Sequence, residues 1–148
     1  MGIRVVLLDL DGVVRHFDPA RAAGIEARHG LAPGSLTAAA FDPELLEPVI
    51  TGKVRRADWV VNVGRVVGNV QAAEQRLAER GHVDEDMMDV VRRIRLMGMT
   101  VAVLTNGTDT SPDEMIELDL ADRFDAIFNS AEIGYAKPDR RAFEHVCE

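Results

Sequence analysis

Asp9 and Asp11 stand two residues apart where an apolar run, VVLLDLDG, gives way to Gly12. An aspartate carboxylate can act as a nucleophile and carry a phosphoryl group as an aspartyl-phosphate. A second carboxylate two residues on can protonate a departing oxygen and later deprotonate a water. Two further stretches complement this pair. Thr105-Asn106-Gly107 offers a hydroxyl and backbone amides, and Lys137, in SAEIGYAKPD, offers a cation. Such groups can hold phosphoryl oxygens where charge must be neutralised. Magnesium, a hard cation with oxygen ligands, would offset the repulsion between the carboxylates and a phosphate. Gly12 suits a tight turn that brings backbone close to a ligand.

These residues lie far apart in the chain, so the elements before them must bring them together. Val5–Leu8 is a continuous apolar run whose length and β-branching predict a fully buried strand, as in a parallel sheet. Met99–Leu104 predicts a second strand and Phe124–Phe128 a third. Between the last two, Ser111-Pro112-Asp113-Glu114 reads as a capping box with proline at the first helical position, opening a helix to about Ala121. Before the second strand, Met87, Val91, Ile94 and Met97 recur at helical spacing. That segment starts acidic and ends basic, and Gly98 can supply its C-terminal turn. Strand–helix–strand alternation reads as α/β with right-handed crossovers. In open α/β sheets ligands bind at the carboxyl ends of the strands, which would gather all three clusters on one edge.

The stretch from Arg15 to Gly81 has no strand-like alternation, and it is too long to be a simple connection between neighbouring strands. It reads as a helical insert with its own small core, with helices near Pro19–His29, Pro43–Ile50, Arg56–Val67 and Val70–Arg80. The expected organisation is therefore an α/β core at 1–14 and 82–148, interrupted by a helical unit at 15–81.

A formal net charge of −8 and the lack of a basic stripe argue against a nucleic-acid or membrane-surface role. No apolar run is long enough to span a bilayer. Met1-Gly2-Ile3-Arg4 leads straight toward a strand and does not resemble a signal peptide. The single cysteine, Cys147, excludes an internal disulfide, which fits a reducing cytoplasm.

DLDGVV, LTNG and AKPD, in this order, resemble motifs I, II and III of the haloacid dehalogenase-like (HAD) superfamily, and the insert after motif I resembles the small helical cap of its subfamily I. The resemblance covers essentially the whole chain. It implies a Rossmann-like, three-layer α/β/α core with a parallel sheet and an inserted cap. It also implies a role for each matching residue: Asp9 as nucleophile and magnesium ligand, Asp11 as acid/base with its backbone carbonyl on the metal. Thr105 would be the phosphate-binding hydroxyl with the Asn106 amide beside it, and Lys137 the lysine that steadies nucleophile and phosphate. The expected substrate is a small phosphorylated metabolite. The family's dehalogenase branch generally lacks an aspartate at the second motif I position, so Asp11 favours phosphoryl transfer over the alternative, haloacid dehalogenation.

One departure shapes a further expectation. Family members continue past motif III through a helix to a fourth strand ending in an acidic motif IV, which this sequence does not contain. The core is thus expected to be incomplete, with the first strand an apolar edge open to self-association. The third alternative is accordingly an inactive fragment, or a phosphate-binding or interaction module. Other residues read more simply. Arg15 and His16 could face the site entrance, but a lone histidine there is ordinarily a surface residue. Trp59 reads as core of the insert and Lys53, Arg55 and Arg56 as a solvated face. Met87, Met88 and Met97 read as packing, and Asp109, Asp113, Glu114 and Glu117 as helix-start charges.

Overall fold

The computed structural model describes residues 2–148. β1 (Val5–Leu8) leads through one turn to β2 (Arg15–His16). Five helices follow: α1 (Pro19–Arg28), α2 (Ser35–Ala40), α3 (Pro43–Ile50), α4 (Arg56–Val67) and α5 (Val70–Leu77). β3 (His82–Val83) pairs antiparallel with β2, and the chain continues through α6 (Glu85–Leu96), β4 (Thr100–Thr105), α7 (Ser111–Glu117), β5 (Ala126–Asn129), α8 (Ser130–Ile133) and α9 (Arg140–Cys147).

β1, β4 and β5 form a parallel sheet in the order β1-β4-β5. Val101 and Val103 of β4 meet α6 and α7 through Met88, Val91 and Met115, in a cluster that also takes in Leu10, Val14, Leu120 and Phe124. On the other face α9 packs edge-on, its His145 ring 6.2 Å from Phe128. This is an α/β/α sandwich of the Rossmann-like kind. The five helices α1–α5 enclose a separate cluster around Leu36, Val49, Trp59, Val63, Ala72 and Ala73.

Local chemistry accounts for most boundaries. Asp18, Asp42, Asn69 and Asp84 each accept a backbone N–H from the first turn of the helix they precede, and prolines open α1 and α3. α4 lacks such a residue of its own, because Arg55 cannot accept; Asp109, from beyond β4, takes the Arg56 N–H at 2.7 Å instead.

Several sequence expectations are corrected. β1 is not fully buried: Val5 is 54% and Leu7 38% exposed, because β1 has one strand neighbour and its Val5/Leu7 face is uncovered. The six-residue α2 was not anticipated; its N-terminal cap is Gly34, which offers no side-chain acceptor to betray it. β2 and β3 are two residues each, too short to alternate. Their approach depends on Gly81 (φ +73°), where a Cβ would stand 2.6 Å from the His16 carbonyl. α5 ends at Leu77 and α7 at Glu117. The capping box does not form: Thr110 is the α7 cap, while the Ser111 hydroxyl accepts the Thr108 N–H. On α6 the buried methionine is Met88, whereas Met97 lies past the helix end and is 67% exposed.

Asp125 ties the starts of β4 and β5 together. Its Oδ2 accepts the Val101 N–H at 2.7 Å, its Oδ1 accepts from Arg95 at 2.8 Å, and its own N–H reaches the Val101 carbonyl at 2.9 Å. The Val101 N–H, more than the Arg95 charge, holds its carboxyl below the usual range. A carboxyl lowered on folding stabilises above its unfolded pKa, about 3.9, and loses that contribution as pH falls through the folded value. Asp125→Asn is therefore expected to lower the urea midpoint at neutral pH, with the gap to the unaltered protein closing at strongly acid pH.

Candidate active site

Asp9 follows β1 directly. Its Oδ1 accepts the Leu10 N–H at 2.8 Å and the Lys137 ammonium at 2.8 Å, a link across 128 residues. From Leu10 the chain makes one helix-like turn, with the Leu10 carbonyl receiving the N–H groups of Val14 (2.8 Å) and Arg15 (2.9 Å). Gly12 (φ +83°) reverses the chain, and its N–H bonds the Arg15 carbonyl at 2.7 Å. Leu10 and Val14 are sunk in the α/β core, while Asp9 and Asp11, on either side of Leu10, stay exposed at the turn.

Thr105 is the last residue of β4 and is buried. Asn106, one residue on, spends its side chain on Lys137: Nδ2 donates to the Lys137 carbonyl at 2.9 Å, and Oδ1 accepts the Lys137 N–H at 2.8 Å. The amide thereby sews the loop after α8 to the end of β4 and sets the level from which the Lys137 side chain reaches Asp9. What Asn106 can offer a ligand is its backbone N–H.

All five predicted residues, Asp9, Asp11, Thr105, Asn106 and Lys137, line one cavity of about 420 Å³. Its opposite wall comes from the helical unit: Phe41, Leu46, Ile50, Arg56, Trp59 and Leu77. Trp59 therefore both belongs to the helical core and faces the cavity.

The strongest departure from expectation is electrostatic. Arg15 and Glu114 are each only 5% exposed and pair at 2.9 Å. Arg15 also grips Asp11 with two nitrogens, Nε to Oδ1 at 2.6 Å and Nη2 to Oδ2 at 3.2 Å. Burial opposes its charge, but the hydrogen bonds and charges of Asp11 and Glu114 prevail and raise its pKa. Arg56, expected on a solvated face, reaches Glu114 at 3.5 Å and donates to the Leu77 carbonyl. Burial, with the charges of Arg80 and Arg15, lowers its pKa against the pull of Glu114 and Asp109. Glu114 is thus no simple helix-start charge but the centre of an ionic cluster. Its partner Arg15 lies 99 residues away, and no local pattern announces the pairing. His16 instead pairs with Asp84 at 3.0 Å.

A model of the haloacid dehalogenase-like hydrolase family matches residues 3–148. Among solved structures, a HAD family enzyme from Bacteroides thetaiotaomicron in complex with magnesium and inorganic phosphate aligns with a TM-score of 0.76 at 20% identity, over 98% of this chain and 77% of that one. A HAD-like family hydrolase from Porphyromonas gingivalis gives 0.70 at 19%, over 97% and 74%. An L-2-haloacid dehalogenase from Xanthobacter autotrophicus, with chloropropionic acid covalently bound, gives 0.67 at 15%, over 98% and 64%. At these identities the likeness is one of fold. No curated protein matches the chain.

The Asn106 clamp gives a direct prediction. Asn106→Ala removes two bonds to the Lys137 backbone; at about 1 kcal/mol each, stability should fall by about 2 kcal/mol. The Lys137 amide should exchange its hydrogen faster, while amides in β4 change little. Unchanged exchange at Lys137 would contradict the clamp.

Proposed function

This chain belongs to the haloacid dehalogenase-like hydrolase family, and within it we propose a magnesium-dependent phosphohydrolase that acts on a small phosphate ester through an aspartyl-phosphate at Asp9. The observation that carries this reading is the meeting of Asp9, Asp11, Thr105 and Lys137 on one cavity, with the Lys137 ammonium 2.8 Å from the Asp9 carboxylate. An Asp9 oxygen attacks phosphorus and the ester P–O bond breaks, with Asp11 giving its proton to the departing oxygen. Water then attacks the phosphorus, Asp11 takes the water's proton, and the aspartyl P–O bond breaks to release phosphate. Lys137 and the Thr105 hydroxyl neutralise and orient the phosphoryl oxygens.

Magnesium fits the chemistry of these donors. The Asp9 carboxylate and the Asp11 backbone carbonyl are oxygen ligands, and magnesium ordinarily keeps several waters and draws other ligands from substrate phosphate. When bound, it supplies positive charge to the phosphoryl oxygens. Among the described residues no three His, Cys, Asp or Glu side chains gather into a metal cluster. Binding to this chain is therefore expected to be weak and to tighten with phosphate. A magnesium- and phosphate-bound structure of similar fold supports the assignment. The single cysteine supports a cytoplasmic setting, and among the described residues no helix is long and apolar enough to cross a membrane.

Turnover of p-nitrophenyl phosphate should require added magnesium and fall at least a hundredfold in Asp9→Asn, on the order expected for loss of a nucleophile. Equal rates for the two proteins, or halide release from 2-haloacids in place of phosphate release, would sink the reading.

The uncovered edge of β1 supports a second element, self-association of this chain by strand pairing. Light scattering over a concentration series should give a mass that rises above the monomer, and Leu7→Lys should suppress the rise. A monomer at every concentration would defeat it.

A further inference from the structure

Asp11 is an exposed residue on a turn, with a side chain 46% exposed. Left to itself, such a carboxylate would sample several rotamers. Here it does not stand alone. The Arg15 guanidinium presents two donors to its two oxygens, a fork that fixes the carboxylate plane as a single bond could not. The fork is held in turn. Its third donor, Nη1, bonds the buried Glu114 at 2.9 Å, and the Thr110 hydroxyl donates to the other Glu114 oxygen at 3.0 Å. The guanidinium carbon lies 5.0 Å from the centre of the Phe17 ring, and Gly81 packs close beside the Arg15 side chain. The two arms differ in length. Oδ1 is gripped at 2.6 Å, and Oδ2, at 3.2 Å, is the oxygen more readily released toward a ligand.

We propose that Arg15, anchored by Glu114, is a positioning residue that aims the Asp11 carboxylate at the leaving oxygen of the substrate. This rests on the phosphohydrolase reading and adds to it a residue outside the three motifs. It also explains the burial of an ion pair beside a solvent-facing carboxylate: Glu114 takes the remaining charge of a guanidinium whose work lies on the cavity side.

Leaving-group dependence separates this role from a merely structural one. A p-nitrophenolate departs without a proton, whereas an alkoxide needs one, so only alkyl esters depend strongly on a well-aimed acid. kcat/KM is measured in magnesium for p-nitrophenyl phosphate and for ethyl phosphate, on the unaltered protein, Asp11→Asn, Arg15→Lys and Glu114→Gln. Arg15→Lys keeps the charge and loses the fork. It should lose about a hundredfold on ethyl phosphate, the scale of a displaced catalytic group, and less than about threefold on p-nitrophenyl phosphate, matching the selectivity of Asp11→Asn. Glu114→Gln should shift the ratio in the same direction by a smaller factor, and it serves should Arg15→Lys fail to fold. Equal losses on both esters in Arg15→Lys and Glu114→Gln, with Asp11→Asn selective, would overturn the positioning role alone. Inactivity of the unaltered protein on both esters would overturn the phosphohydrolase reading and this role with it.

Discussion

Two parallel pairings, β1 with β4 and β4 with β5, are the constraint on which the rest of the molecule depends. Because the strands run the same way, with Leu8 beside Val103 and Asn129 beside Thr105, all three end near one edge, and the chain after each leaves from it. Asp9, Thr105 and the loop bearing Lys137 are delivered there by main-chain geometry. Side chains then fasten both ends of the sheet. Asp125 bonds the Val101 N–H where β4 begins, and Asn106 bonds the Lys137 backbone where it ends. The 2.8 Å contact between Lys137 and Asp9 is thus the last consequence of a register set elsewhere.

What could be read from the residues alone was what local chemistry dictates. β1 was placed at Val5–Leu8, α3 at Pro43–Ile50 and α4 at Arg56–Val67, bounds that the structure reproduces. An Asp-Pro start or a sustained helical spacing acts within a few residues, so it leaves a visible pattern. Asp9, Asp11, Thr105 and Asn106 were readable as polar residues closing apolar strands, and Lys137 as a cation in the stretch beyond the third strand. What escaped was set by distant partners. The exposure of Val5 and Leu7 depends on what covers β1, not on β1 itself. Arg56 looked solvated until the fold set it beside Glu114.

The buried charge of the ionic cluster is weak evidence for stability. Bringing Arg15 and Glu114 to 5% exposure costs desolvation that their attraction roughly offsets. Removing one partner is another matter, since it strands a buried charge at a cost of about 3–5 kcal/mol. The arrangement is therefore better understood as orientation than as glue. It holds a guanidinium at a fixed angle between the α/β core and the cavity.

Glu114 also divides its two oxygens between neighbours of different origin. Oε2 faces Arg15, behind Asp11, while Oε1 faces Arg56, of α4, and Arg80, after α5. The helical unit is therefore not a freely interchangeable module. An evolutionary or engineered graft of another roof over the same sheet could alter Phe41, Leu46 or Ile50 and reshape the cavity at little electrostatic cost. It would still have to bring cations for Oε1, or leave that buried oxygen with the Thr110 hydroxyl alone and its charge unopposed beside the residue that holds Asp11. Diversification of this scaffold is thus free along the apolar wall and constrained at two arginines.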